Sequence, residues 1–209
     1  DAVLISAATP AGIFYGVQTL RQLLPVQIET NQKVNNIQWT VPVVVIEDKP
    51  RFKWRGFLMD PARHFRAKAD IIKYIDLLAL QKLNVFQLHL TDDQGWRIEI
   101  KKYPLLTKTG AAIPDYSGRK GNNWFYTQAD IKEIVAYAGS RYVTVVPEIE
   151  MPGHSFASTT AYHELGCDGR PSHELCVSRP ATFEFATNVL TEVMGLFPSP
   201  FIHVGADEV

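Results

Sequence analysis

The spacing of apolar residues changes character near position 50. Before it, VLISA alternates briefly and reads as a strand. TPAGIFYGVQTLRQLLP then reads as a helix, with Thr9 placed to cap it, Pro10 in the first turn, and an apolar stripe through Phe14, Val17, Leu20 and Leu23. WTVPVVVIEDKP follows as a strand and linker. A helix with two strands buries no core by itself, so residues 1–50 are expected to be the C-terminal part of a small α+β domain.

From Arg51 onward, short apolar strands alternate with amphipathic helices. RGFLMD, NVFQLHL, YVTVVPEIE and FIHVGADE read as strands; KADIIKYIDLLALQKL, TQADIKEIVAYAGSR and PATFEFATNVLTEVMGLF read as helices. Thr127 and Asp130 form a capping box, and Pro180 stands near a helix start. One long polar insertion and one carrying both cysteines interrupt the series. The order βαβαβαβ is that of a parallel sheet.

Polar residues at the strand ends separate the possible sheets. RGFLMD runs into Pro61, Ala62, Arg63 and His64, NVFQLHL into Asp92 and Asp93, VVPEIE into His154, and FIHVG into Asp207 and Glu208. Barrel enzymes gather their chemistry at the C-terminal ends of strands, and no glycine-rich phosphate turn of the doubly wound kind follows any of these. The expected fold is α/β. Residues 51–209 would form the first half of a TIM (β/α)8 barrel, strands 1 to 4, truncated after the Asp207–Glu208 pair.

Composition narrows the partners. With 21 basic and 22 acidic residues and no run of five like charges, nothing here would hold a phosphate backbone or an anionic membrane surface, so no nucleic-acid partner is expected. No apolar stretch approaches the roughly 18 residues that span a bilayer. The opening DAVLISAATPAG has no initiating Met and no signal-peptide pattern, which suggests a chain cut from something longer, with any export signal removed or upstream. Cys167 and Cys176 bracket DGRPSHEL, a loop that a disulfide could close in an oxidising compartment; two free thiols in the cytosol are the other reading.

Adjacent Asp207 and Glu208 at a strand end suit a division of labour, one ionised while burial makes the other an acid. A helix start or surface turn would also explain such a pair. A metal-dependent hydrolase is the competing enzyme class, because His89, Asp92, His154, His203 and Asp207 offer nitrogen and oxygen ligands. The close pairs H-x-H and H-E-x-x-H are missing, however. His89 and His203 fall within strands and read as structural or supporting. Trp54 precedes its strand and Trp96 follows the Asp pair in a loop, and neither these nor Trp124 is assigned to a sugar.

HVGADE is similar to the H-x-G-G-D-E signature of the family 20 glycoside hydrolases, the β-N-acetylhexosaminidases. RGFLMDPARHF, KLNVFQLHLTDDQGWR and PEIEMPGH resemble that family's first three barrel strands, and GIFYGVQTLRQLLP resembles the closing helix of its preceding domain. Two positions depart from the pattern: Ala206 replaces the second glycine, and Glu150 stands where many members carry Asp.

The resemblance implies exo-acting removal of terminal non-reducing β-linked N-acetylglucosamine or N-acetylgalactosamine. The mechanism would be retaining and substrate-assisted, the acetamido oxygen serving as nucleophile. Glu208 would be the general acid and base, and Asp207 would hold the acetamido N–H. Arg63 would bind sugar hydroxyls, with an ion pair to Asp60 as its structural alternative. Asp92 and His154 would orient Glu208, with Glu150 in support. No cofactor and no metal are expected, and the implied compartment is secreted, periplasmic or lysosomal. In that family the acetamido pocket is completed by the second half of the barrel. The isolated chain is therefore expected to be inactive, the alternative function being a silent sugar-binding protein.

Overall fold

The computed structural model describes residues 2–114, 118 and 124–209; residues 115–117 and 119–123 of the long polar insertion lie outside the described residues. Helix α1 spans Pro10–Leu23, and Thr9 caps it by accepting a hydrogen bond from the amide of Gly12. The helix docks through polar contacts: Gln22 donates to the carbonyl of Leu80 at 2.7 Å, and Lys82 donates to Thr19 at 2.6 Å. Its apolar stripe is less committed, with Val17 45% exposed.

The two strands expected before position 50 do not form. Residues 3–7 and 39–50 carry no ladder, and Leu4, Val43 and Val45 stand almost fully in solvent at 88%, 101% and 97% exposure. A strand exists through its hydrogen-bonding neighbour, and among the described residues none pairs with these segments.

The α/β part is built in sequence from β1 (Gly56–Met59), α2 (Lys68–Leu80), β2 (Val85–His89), β3 (Thr91–Asp92), β4 (Gly95–Trp96), α3 (Leu105–Lys108), α4 (Gln128–Gly139), β5 (Thr144–Glu148), α5 (Phe156–Ala161) and α6 (Pro180–Leu196). Strands β1, β2 and β5 form a parallel sheet in that order, with Gly56 beside Val85 and His89 beside Glu148. Helix starts follow their local chemistry: Thr127 and Asp130 close a capping box on α4, and Pro180 opens α6.

FIHVGADE is shorter as a strand than expected. One parallel bridge joins Glu148 to His203, and the backbone then leaves the sheet through Gly205 and Ala206, both at φ 66°. Positive φ ends a ladder because it turns the next amide out of line.

Alternation along the strands assigns the two faces. Phe86, Leu88 and Val145 join Ile71, Ile75, Ile131, Ile134, Val189 and Val193 in one buried core under the helices. The intervening register pairs put Gln87 beside Val146 and His89 beside Glu148 on the opposite face. One strand thus serves packing with its even residues and polar chemistry with its odd ones.

Beyond β2, the short antiparallel pair β3–β4 aligns Thr91 with Trp96 and Asp92 with Gly95. Trp96, expected in a loop, is in fact a buried strand residue, and its indole packs edge-on to Phe185. Arg97 beside it is fully buried, and its guanidinium donates to the carbonyls of Pro61, Ala62, Gln94, Ala111 and Trp124. This one cation ties the segment after β1 to the long insertion. Cys167 and Cys176 are joined by a disulfide.

Candidate active site

The charged residues converge beyond the C-terminal ends of β2 and β5. Asp92 on β3 is 1% exposed and occupies the centre. Its Oδ2 meets Nη2 of Arg63 at 2.7 Å and Nε2 of His89 at 2.9 Å, while Oδ1 accepts the Asp93 amide and faces Nδ1 of His154 at 3.5 Å. Arg63 also pairs with Asp60 at 3.0 Å. The structural ion pair and the site contact thus belong to the same guanidinium.

His154 is the bridge to the adjacent carboxylates. Its Nε2 lies 3.3 Å from Glu208 and 4.0 Å from Asp207. Neighbours on a regular strand would point to opposite faces, yet both reach one imidazole because the backbone turns, with φ 66° at Ala206 and 56° at Glu208. Two glycines allow this close packing. A Cβ on Gly205 would overlap the carboxylate of Glu150, and one on Gly153 would press on the Asp207 carbonyl at 2.9 Å.

Ala206, the departure from the resembled signature, sits in the left-handed region that favours glycine. Holding an L-residue there costs about 1–2 kcal/mol.

Beneath the pair lies a second layer. Glu148 accepts from Gln87 at 2.7 Å and faces Nδ1 of His89 at 3.0 Å and Nδ1 of His203 at 3.1 Å. Glu150 is buried, its amide donates to Thr91, and its Oε2 has no hydrogen-bond partner.

Burial and charge pull these groups apart. Burial opposes the charged form of His89, but hydrogen bonds to Asp92 and Glu148 outweigh it and push its pKa up to about 10. The Glu148 carboxyl, raised by burial, is held far below the usual range by His89 and Gln87. Asp92 is likewise held low, by His89, the Asp93 amide and Arg63 against its burial. Glu150 goes the other way, to about 7: burial raises it and the Glu148 and Asp207 charges add, against the pull of His89.

The open side is a depression of about 250 Å3 lined by Asp93, Gly153, His154, His173, Glu174 and Glu208. His173 comes from the disulfide-closed loop, stacks on Phe156 and meets Asp93 at 2.8 Å. Sequence reasoning singled out neither His173 nor Glu148. Trp54 packs on Phe201 and Trp124 on Phe65. Two sets, His89 with Glu148 and Glu150, and Asp92 with Asp93 and His154, have donor atoms close enough together to hold a cation.

Parallel α/β architecture with carboxylates, histidine and arginine gathered past the strand ends defines the class as an α/β domain with a charged cluster at its C-terminal strand ends. Residues 52–209 match the catalytic domain of glycosyl hydrolase family 20, and residues 1–49 match domain 2 of the same family. The chain belongs to glycosyl hydrolase family 20. It is 44% identical to the beta-hexosaminidase of Porphyromonas gingivalis, covering 99% of this chain and 28% of that protein. Streptomyces plicatus N-acetyl-beta-hexosaminidase, solved with thio-NAglucal, superposes with TM-score 0.91 at 42% identity, covering 97% of this chain and 42% of that one. A mutant of that enzyme, solved with the product GlcNAc, gives 0.90 at 42% identity, over 96% and 41% of the respective chains. The chain thus spans less than half the length of these relatives.

Proposed function

We propose that the full-length protein containing these residues is an exo-acting β-N-acetylhexosaminidase. It would remove terminal non-reducing β-linked N-acetylglucosamine or N-acetylgalactosamine from oligosaccharides or glycoconjugates, with residues 51–209 as the first half of its catalytic barrel. The convergence of Asp207 and Glu208 on Nε2 of one histidine, whose Nδ1 faces a buried aspartate, is the observation that carries this reading.

In the proposed reaction Glu208 protonates the glycosidic oxygen as the substrate's acetamido oxygen attacks C1 and the leaving sugar departs. Asp207 accepts a hydrogen bond from the acetamido N–H and stabilises the positive charge of the oxazolinium intermediate. The Glu208 carboxylate then takes a proton from the water that opens this ring, which gives net retention. Arg63 holds sugar hydroxyls with its planar donor fork. Asp92 and His154 orient Glu208, and Glu150 supports the turn beneath. The chemistry needs no metal or cofactor, and the Cys167–Cys176 disulfide supports a secreted, periplasmic or lysosomal setting.

The alternative, a silent sugar-binding or inactive piece, applies to the 209-residue chain by itself. The side chains of Asp207 and Glu208 are 66% and 78% exposed. An acid catalyst works best withdrawn from water, so these residues alone are expected to be inactive. Hydrolysis of p-nitrophenyl β-N-acetylglucosaminide by the full-length protein tests the reading. Cleavage should collapse in Asp207→Ala and Glu208→Ala and ignore a chelator. No cleavage by the folded full-length protein, or cleavage by the isolated chain, would contradict one half of the proposal or the other.

A further inference from the structure

One buried histidine facing the site is left unused by the proposed reaction. His89 is 3% exposed at the C-terminal end of β2, set beside Glu148 by the parallel register. Its Nε2 lies 2.9 Å from Oδ2 of Asp92, and its Nδ1 lies 3.0 Å from Glu148 and 3.7 Å from Glu150. A neutral imidazole has one N–H and one bare lone pair. Here that lone pair would point at a buried carboxylate oxygen at hydrogen-bond distance, whereas two N–H groups make both contacts charge-assisted.

We propose that His89 is a permanent imidazolium clamped between Asp92 and Glu148, and that it serves the proposed hydrolysis as a positioning residue by keeping Asp92 ionised. Asp92 holds Arg63 at 2.7 Å and faces His154, whose other nitrogen reaches Glu208. A neutral Asp92 would slacken both arms of the site. The groups facing His89 agree with a fixed positive charge. Asp60 acts on it from beyond β1, Asp92 from β3, and Glu148 and Glu150 from β5 and the residues after it. On the far sides of these carboxylates lie Arg63, against Asp92, and the His203 ring, against Glu148. Competing with this arrangement is a divalent cation between His89, Glu148 and Glu150, which would require Nδ1 without its proton.

The role rests on the hydrolase reading, so the test has two arms, both on the full-length protein. In nitrogen-15 spectra of labelled histidine, the His89 signal, assigned by its loss in His89→Gln, should show both ring nitrogens protonated through pH 9, below its pKa of about 10. A titration near the ordinary 6.5, or a signal that changes when a chelator is added, would overturn the proposal. In the kinetic arm, His89→Gln should move the acid limb of the kcat/KM profile upward by roughly one to three pH units. A loss equal at every pH would make His89 merely structural and overturn its positioning role. If the wild-type protein cleaves no aryl glycoside at all, it is the hydrolase reading that fails, and the spectra still decide the charge of His89.

Discussion

Residues 2–50 and residues 56–204 contain comparable apolar patterns, yet only the second set becomes a folded core. WTVPVVVIED has the composition of a good strand, and Val43 and Val45 are nonetheless solvent-exposed. NVFQLHL, no more apolar, is buried between β1 and β5. The difference is partnership: β2 has a strand on each side and helices over one face, while residues 39–50 have no strand neighbour among the described residues and only an ion pair from Asp48 to Lys82. Apolar alternation states what a segment can do, and non-local pairing decides whether it does so.

This contrast predicts where substitutions will matter. The largest stability effect should fall on Arg97, whose replacement by Leu strands buried carbonyls on both the β1 segment and the long insertion. A loss of at least about 3 kcal/mol is expected, since each orphaned buried acceptor costs about 1–3 kcal/mol. Denaturant unfolding of the full-length variant measures it, and a loss below about 1 kcal/mol would remove Arg97 as the tie between those segments.

The buried charges give the next effect. The folded pKa of His89, about 10, stands above its ordinary 6.5, so its contribution is complete below pH 6.5 and drains away as pH rises towards 10. Glu150, raised from 4.5 to about 7, adds a loss between those values. Glu148 is held below its ordinary 4.5, so its contribution is complete above that pH and is lost in stronger acid. Melting temperature should therefore be highest in mild acid, near pH 5, and fall steadily towards pH 10. A flat profile across the alkaline side would break the charge assignment.

Ala206→Gly should bring a smaller gain of about 1 kcal/mol by relieving the positive φ, read as a higher melting temperature with activity kept or raised. Smallest of all is Val45→Thr in the 209-residue chain, where an exposed, unpaired site should shift stability by less than about 0.5 kcal/mol. A loss above about 1 kcal/mol would show that residues 39–50 are packed after all, and the contrast between the two regions would disappear.

Much of this was legible along the chain because it is local. The caps at Thr9 and Thr127, Pro180 in the first turn of α6, and the helical stripes depend on residues within a few positions of one another, and the apolar runs of β1, β2 and β5 mark where strands can form. The strands that failed, at residues 3–7, 39–50 and the end of FIHVGADE, depended on partners or on a backbone turn that periodicity does not encode. Asp207, Glu208, Arg63, Asp92 and His154 stood out at strand ends, and Glu150 through the family resemblance alone; the structure brings the six together, and their roles are those proposed above. His89 read as a supporting strand residue because its second partner, Glu148, lies on another strand and meets it by register alone. His173 was hidden for a similar reason: it reaches Asp93 from a loop whose course is set by a disulfide and by backbone bonds such as Ser155 N–H to its carbonyl at 2.8 Å.

Separating proton transfer from binding tests the assignment of the carboxylate pair most directly. Glu208→Gln in the full-length protein should lose turnover on an aryl β-N-acetylglucosaminide by about 100-fold or more. It should still bind a thiazoline mimic of the oxazolinium intermediate, because Asp207 and Arg63 remain in place. Loss of thiazoline binding together with turnover would make Glu208 a structural residue of the turn and contradict its role as the acid.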